Sequence, residues 1–263
     1  MTRHWLPPAF AALLLLAVLA ACAGAGRELT LTLEPDFAAL PPGARAQETL
    51  QDTVDILQAR AQAYGLSRAD IFQTEDGLIQ ATLAGIGRET ALRLISGRAE
   101  FEFRWPQITA EGFVVCQSAA GDRFSVRPIN VNPDSVSGRP ARCFARDAVG
   151  DPLWDPIEFQ AGGQTVRLDR RHIEPGGWRL HQDTALVARF TQEGAGLLET
   201  VTEALQGYPL GLFLDGELIA APRIQRAITN GEPVISGFDP GDARLYQALL
   251  NSPPLPVPLN IAD

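Results

Sequence analysis

Two Asp-Gly pairs constrain this fold more than any other feature. Asp76-Gly77 stands between the apolar runs 71–74 and 78–83, and Asp215-Gly216 between 210–214 and 217–221. An Asp-Gly pair between two short apolar runs predicts a tight β-hairpin, since both turn residues take positive φ. Each pair follows a helical pattern. Over 46–64, Leu50, Val54, Leu57 and Ala61 recur on one face, and Gly65 stands where a left-handed C-cap is needed. Over 193–206, Leu197, Leu198, Val201 and Leu205 recur, and Gly207 follows. Residues 29–33 alternate Leu with Thr, and 185–190 are also strand-like; these precede the two helices. Second helices over 89–96 and 242–250 lead to closing strands over 99–104 and 255–261, the last an edge strand because of Pro256 and Pro258. The order β-α-β-β-α-β thus occurs twice, as in the split βαβ or ferredoxin-like pattern. An old duplication and convergence on a common motif are both open, because pattern recurs and residue identity does not. The expected class is α+β: a ferredoxin-like base and a second βαββαβ-type head half.

The amino terminus carries a different signal. Leu19-Ala20-Ala21-Cys22 closes an uncharged apolar run, 9–21, behind Arg3. A basic start, a short apolar core and small residues before a cut site describe an export signal. The stretch resembles the bacterial lipobox, in which the cysteine thiol is diacylated and the chain is cut before it. Residues 1–21 are then a lipoprotein signal peptide, 22–28 a linker anchored through Cys22, and the body faces the periplasm. The alternative is a retained transmembrane helix. Residues 5–26 carry no formal charge and approach the ~20 residues a span needs, but Pro7 and Pro8 break the start. Ala23 favours the outer membrane somewhat, since Asp after the cysteine retains well-studied lipoproteins in the inner one.

No other run could span a membrane, so the rest is expected to be a folded, soluble body. The net charge is −9, with no cluster of Lys and Arg interleaved with aromatics. Nucleic-acid binding needs such a patch to displace counterions from phosphate, and is excluded. Besides Cys22 the chain has Cys116 and Cys143. In an oxidising compartment this pair predicts a disulfide; two buried thiols and metal ligation are the alternatives. Both cysteines fall in 105–182, a stretch rich in Pro, Gly, Asp and Arg, with short apolar runs at 113–116, 124–129 and 165–168. It is too long for a structureless loop and is expected to be an irregular β-rich insertion with isolated strands. The division is base 29–104, insertion 105–182, and head 183–263, with a carboxyl-terminal strand returning to the base.

A catalytic constellation is not found. Gly194-Ala195-Gly196 opens a helix, but a dinucleotide site wants a third glycine where Glu199 stands. Gly-x-Ser-x-Gly, His-Glu-x-x-His and phosphate-loop motifs are missing. His172 and His181 lie in a Gly-Pro-rich segment and are expected to be exposed loop residues, since a metal site needs three or four converging ligands. The chain is therefore expected to be no enzyme and to hold no metal and no cofactor.

One stretch is more specific. It runs Phe190, Glu193-Gly194-Ala195, Thr202, Gly207, Leu214-Asp215-Gly216, Ala221-Pro222-x-Ile224, Ile228-x-x-Gly231, Ile235-Ser236-Gly237 and Leu255-Pro256-Val257-Pro258. It resembles the first large periplasmic domain of SecD, of the SecDF export complex. Arg60 and Gly65, Ala84-Gly85-Ile86 and 99–104 extend the likeness more weakly into the first half. Gly194, Gly207, Asp215, Gly216, Pro222, Gly231 and Gly237 serve as turn and chain-stopping residues that specify the fold. The resemblance implies a base and a projecting head that contacts polypeptide emerging from the export channel. Partners would be unfolded or exported polypeptide and subunits of the Sec translocon. The family's membrane-helix bundle has no counterpart in the sequence, so the expected role is accessory to translocation, without a proton-driven motor. The alternative is a structural or adaptor envelope lipoprotein that keeps only the fold. The lipobox reading has a direct check: Cys22→Ser abolishes incorporation of labelled fatty acid and leaves the precursor uncut. A mature, labelled Cys22→Ser protein would refute it.

Overall fold

The computed structural model describes residues 28–40, 42–132, 141–161 and 164–262. Cys22 and the expected leader 1–21 lie outside the described residues. The first elements follow in the expected order: β1 (Glu28–Pro35), α1 (Ala46–Tyr64), β2 (Arg68–Gln73), β3 (Ile79–Ala84) and α2 (Arg88–Ser96). β1 and β2 both pair antiparallel with β3, which lies between them. The α1 stripe of Leu50, Val54, Leu57 and Ala61 is buried against Leu31, Leu33, Ile79 and Leu83 of this sheet. Gly65, at φ 89°, caps α1 by donating its N–H to the carbonyls of Ala61 and Gln62.

The strand expected to close this sheet does not. After α2 the chain turns out at Ala99, whose φ is 63°, and β4 (Phe101–Pro106) leaves for another sheet. The place beside β1 goes to the last strand, β18 (Leu259–Ile261), which pairs Leu33 with Ile261 and Pro35 with Leu259. Only 259–261 of the expected 255–261 are strand; Leu255 and Val257 are buried, and Pro256 and Pro258 have no N–H to donate to a ladder. The β2–β3 hairpin also differs in detail. Thr74 donates to the Leu78 carbonyl and Gly77 to that of Thr74, at 2.8 and 3.1 Å, and only Gly77 of the pair has positive φ. This is a type I turn closed by a glycine bulge, one residue longer than the expected turn.

The middle of the chain is more regular than its composition implies. β5 (Val114–Ser118), β6 (Arg123–Val126), β7 (Val131–Asn132), β8 (Arg142–Phe144) and β9 (Val149–Pro152) form one sheet in the order β6-β5-β9-β8-β7. The expected isolated strands are thus paired. A disulfide joins Cys116 of β5 to Cys143 of β8, with Cα atoms 6.3 Å apart, although β9 lies between those strands. Two strand spacings in a flat sheet come to roughly 9.6 Å, so this sheet is curled. Gly150 of β9 permits the curl: a Cβ there would stand 2.3 Å from the Gln117 carbonyl oxygen. β10 (Trp154–Pro156) pairs with β4, and β11 (Glu158–Ala161) with β12 (Gln164–Arg167).

The second half contains β13 (Arg179–His181), β14 (Ala185–Val187), α3 (Gln192–Ala204), β15 (Gly211–Leu214), β16 (Glu217–Ala220), β17 (Val234–Ser236) and α4 (Pro240–Asn251). The mixed α/β class holds, but this half does not build a split βαβ sheet of its own. Its strands are shared among three sheets: β13-β14-β17, β10-β4-β15-β16, and the first sheet through β18. β4 is the cause, since it supplies the partner that β15 would otherwise take from its own half. α2 lies between the two cores, giving Leu94 to one and Ala91 and Ile95 to the other.

Arg60 fixes the seam. Its side chain is fully buried on α1. Nε donates to Ser252 Oγ at 2.7 Å; Nη1 donates to the Gly97 carbonyl at 2.5 Å and Leu94 at 3.4 Å; Nη2 donates to Arg98 at 3.2 Å and Pro253 at 3.3 Å. Burial lowers its pKa to about 10, with Asp215 opposing that shift and Arg170 adding to it, so it is cationic at neutral pH. An unmet buried carbonyl costs roughly 1–3 kcal/mol. Arg60→Met strands several and is expected to lower unfolding free energy in urea by at least about 3 kcal/mol. Arg60→Lys, with three donors at one point, recovers little of it. An unchanged midpoint for Arg60→Met would contradict this.

Candidate functional site

A cleft of about 880 Å³ lies in the second half. Phe103 of β4, Leu198 of α3, and Leu210 and Leu212 beside and within β15 make an apolar floor. One wall is β17 with Glu232 and Pro233; the other is the segment 222–230. Three ionisable side chains line it: Arg223, Arg226 and Glu232. Two are committed. Arg223 donates to the Gly207 carbonyl at 2.6 Å and to Val131 at 2.7 Å. Glu232 accepts from Arg189 at 2.9 Å and Arg179 at 3.4 Å. Arg226 is exposed and has no ion pair among the described residues. Such a lining offers apolar contact and backbone hydrogen bonds.

The glycines and proline named from the sequence frame this cleft, each for a local reason. Thr191 Oγ1 accepts from Gly194 N–H at 3.1 Å and caps α3. A Cβ on Gly194 would meet the His172 carbonyl oxygen at 2.4 Å, so glycine lets the helix start approach the 3-10 turn Arg170–His172. Gly207 N–H donates to the Ile224 carbonyl at 2.7 Å, and the Pro222 carbonyl accepts from Leu210 N–H at 2.9 Å. These bonds hold 222–224 along the floor. Gly231 has φ 64°, and a Cβ there would lie 2.8 Å from the Ala195 Cβ. Gly237, at φ 97°, turns the chain out of β17.

Asp215 and Gly216 form the expected two-residue turn, with φ 52° and 82°, but Asp215 does more. Its carboxylate accepts from Ala99 N–H at 3.1 Å and Glu100 N–H at 2.8 Å. It therefore clamps the start of β4, while Arg170 donates to the Ala99 carbonyl at 2.7 Å and lies over the Phe101 ring. The left-handed Ala99 needs that clamp. No turn motif in the sequence announces this role. His172 departs from the expectation of exposure: it is buried, and its Nδ1 accepts from Asp169 N–H at 3.3 Å in a capping box. His181 is exposed on β13. Among the described residues no three His, Cys, Asp or Glu side chains converge as metal ligands.

Residues 166–257 match the model of the family described as SecDF, P1 head subdomain. The chain is SecD-like. It is 27% identical over 222 residues to the protein translocase subunit SecD of Syntrophobacter fumaroxidans, covering 84% of this chain and 38% of that one. It is 29% identical over 220 residues to the protein translocase subunit SecDF of Thermus thermophilus, covering 82% and 28%. The chain thus spans well under half the length of these relatives. The crystal structure of SecDF in its super-membrane-facing form superposes with a TM-score of 0.53 at 24% identity, covering 97% of this chain and 35% of that one; this likeness concerns the fold. Among the described residues no helix is long and apolar enough to cross a membrane.

Gly231 offers a test of how the cleft is framed. Gly231→Ala adds left-handed strain of about 1–2 kcal/mol and a collision with Ala195. Urea unfolding of Gly231→Ala, Ala195→Gly and the double variant is expected to show a favourable coupling of about 1 kcal/mol. Strict additivity would refute the contact.

Proposed function

We propose that this protein is a non-enzymatic, lipid-anchored SecD-like domain that binds exported polypeptide on the periplasmic side of the cell envelope, beside the Sec translocon. One coincidence carries the reading. The matched segment, 166–257, contains the whole cleft lining except Phe103. The likeness therefore takes in all but one of the residues that line the concavity. The named relatives are protein translocase subunits, and an open cleft with an apolar floor suits an unfolded chain better than a small charged substrate.

In this reading residues 1–21 are the leader, 22–28 the linker and Cys22 the lipid attachment point, with Ala23 favouring the outer membrane. The base spans 29–104, the insertion 105–182 and the head 183–263. Gly194, Gly207, Pro222, Gly231 and Gly237 shape the cleft, Asp215 and Gly216 hold β4 to β15, and none of them performs chemistry.

A photo-cross-linking residue in place of Gln225, exposed at the cleft, tests it in living cells. Adducts with exported precursors are expected from position 225 and not from Gln51, exposed on α1. Equal labelling at both positions, or none at 225, would count against polypeptide binding in this cleft.

A further inference from the structure

β17 has one unpaired edge, and that edge belongs to the cleft. Its register with β14 sets Ala185 opposite Ser236, Leu186 opposite Ile235 and Val187 opposite Val234. Flanking bonds fix which groups are used: Ala188 N–H donates to the Pro233 carbonyl at 3.2 Å, and Gly237 N–H to the Thr184 carbonyl at 2.9 Å. Hydrogen-bonded pairs alternate along an antiparallel ladder, so Ile235 bonds to β14 while the N–H and C=O of Val234 and Ser236 point the other way. Those groups have no partner among the described residues. Val234 is 56% exposed, whereas Ile235 is buried.

The opposite wall repeats the pattern. Leu210 N–H donates to the Pro222 carbonyl and Ile224 N–H to that of Tyr208, both at 2.9 Å, around a Pro209–Arg223 bridge. That pattern turns the N–H and C=O of Arg223 away from the floor strand. The cleft is thus bounded by two stretches of extended backbone, each with an unsatisfied edge.

We infer that the cleft takes up polypeptide by strand addition: an extended segment pairs its backbone with Val234 and Ser236 and places every second side chain on the apolar floor of Phe103, Leu198 and Leu212. The inference rests on the polypeptide-binding reading of the same cleft and adds the conformation of the occupant. Backbone groups every second residue match an extended chain; a helix has already spent its own amides. Every polypeptide carries that backbone, so recognition tolerates varied sequence, with a preference for alternating apolar residues and against proline at pairing positions. Pro233 and Gly237 limit β17 to three residues, which keeps this edge from pairing readily with its own copies.

The test uses a lysine-capped ten-residue peptide of alternating threonine and valine, a copy N-methylated at every second amide, and a copy N-methylated at the other set. The protein from residue 22 to 263, with Cys22→Ser, is titrated and its amide exchange followed by NMR. Strand addition predicts that the unmodified peptide slows exchange at Val234 and Ser236 at least tenfold. It also predicts that one N-methylated copy binds at least tenfold more weakly while the other binds within threefold of the parent. Because the change is in the peptide, protein folding does not enter. If both methylated copies bind like the parent, or exchange at Val234 and Ser236 is unaltered at saturation, strand addition is wrong while polypeptide binding stands. Absence of binding by all three overturns both.

Discussion

A guanidinium that meets no carboxylate holds this molecule together. Arg60 reaches from α1 into the ends of α2 and α4, where Leu94, Gly97, Arg98, Ser252 and Pro253 present oxygen atoms to it. The last carbonyls of a helix lack partners within the helix and form the negative end of its dipole. At one buried point a cation with five donors in a plane serves the Leu94 carbonyl in the last turn of α2 and the chain leaving both helices. A carboxylate there would compete with the carbonyls for the same protons. Asp215 stands nearby and offsets part of the burial cost, while its own oxygens serve the start of β4. Through these two residues the first helix, the departing β4 and the returning β18 are set relative to one another.

Local features of the sequence carried well into the structure, and long-range pairing did not. The α1 stripe, the Gly65 cap and the 215–216 turn are each decided by a few neighbouring residues, and each is where the pattern places it. Asp76-Gly77 shows the limit: the same dipeptide forms a different turn when Thr74 and Leu78 extend the loop. The partner of a strand is another matter. Nothing in 99–104 says that it will leave the first sheet, because the cause is a carboxylate more than a hundred residues away. The insertion was underestimated for a related reason. Its strands are two to five residues long, too short for periodicity to register, and a disulfide and a glycine shape them more than an apolar stripe does.

The cleft follows from the same misplacement of strands. A second half that closed its own sheet would have paired β17 on both sides or buried its edge. With β15 taken by β4, the β13-β14-β17 sheet is left with a free side where it meets the floor. The five sequence-named residues that frame the cleft are legible as turn formers, yet their shared purpose is not. Gly194 and Gly231 matter for what they let approach, His172 and Ala195 respectively, and such contacts are invisible until the chain is folded. Arg223 adds a tie to the curled insertion sheet through the Val131 carbonyl, so one wall of the cleft is buttressed from outside the matched segment 166–257.

The pairing of β1 with β18 bears on the order in which the molecule can assemble. Residues 33–35 receive their partners from 259–261, while β1 and β3 can pair as soon as both exist. β1 therefore keeps one open edge until residues 259–261 reach it. Its closure joins the two ends of the described chain. Loop-closure entropy makes such a contact slow to find. Until that contact forms, β1 presents an open strand edge of the kind that pairs readily with other chains.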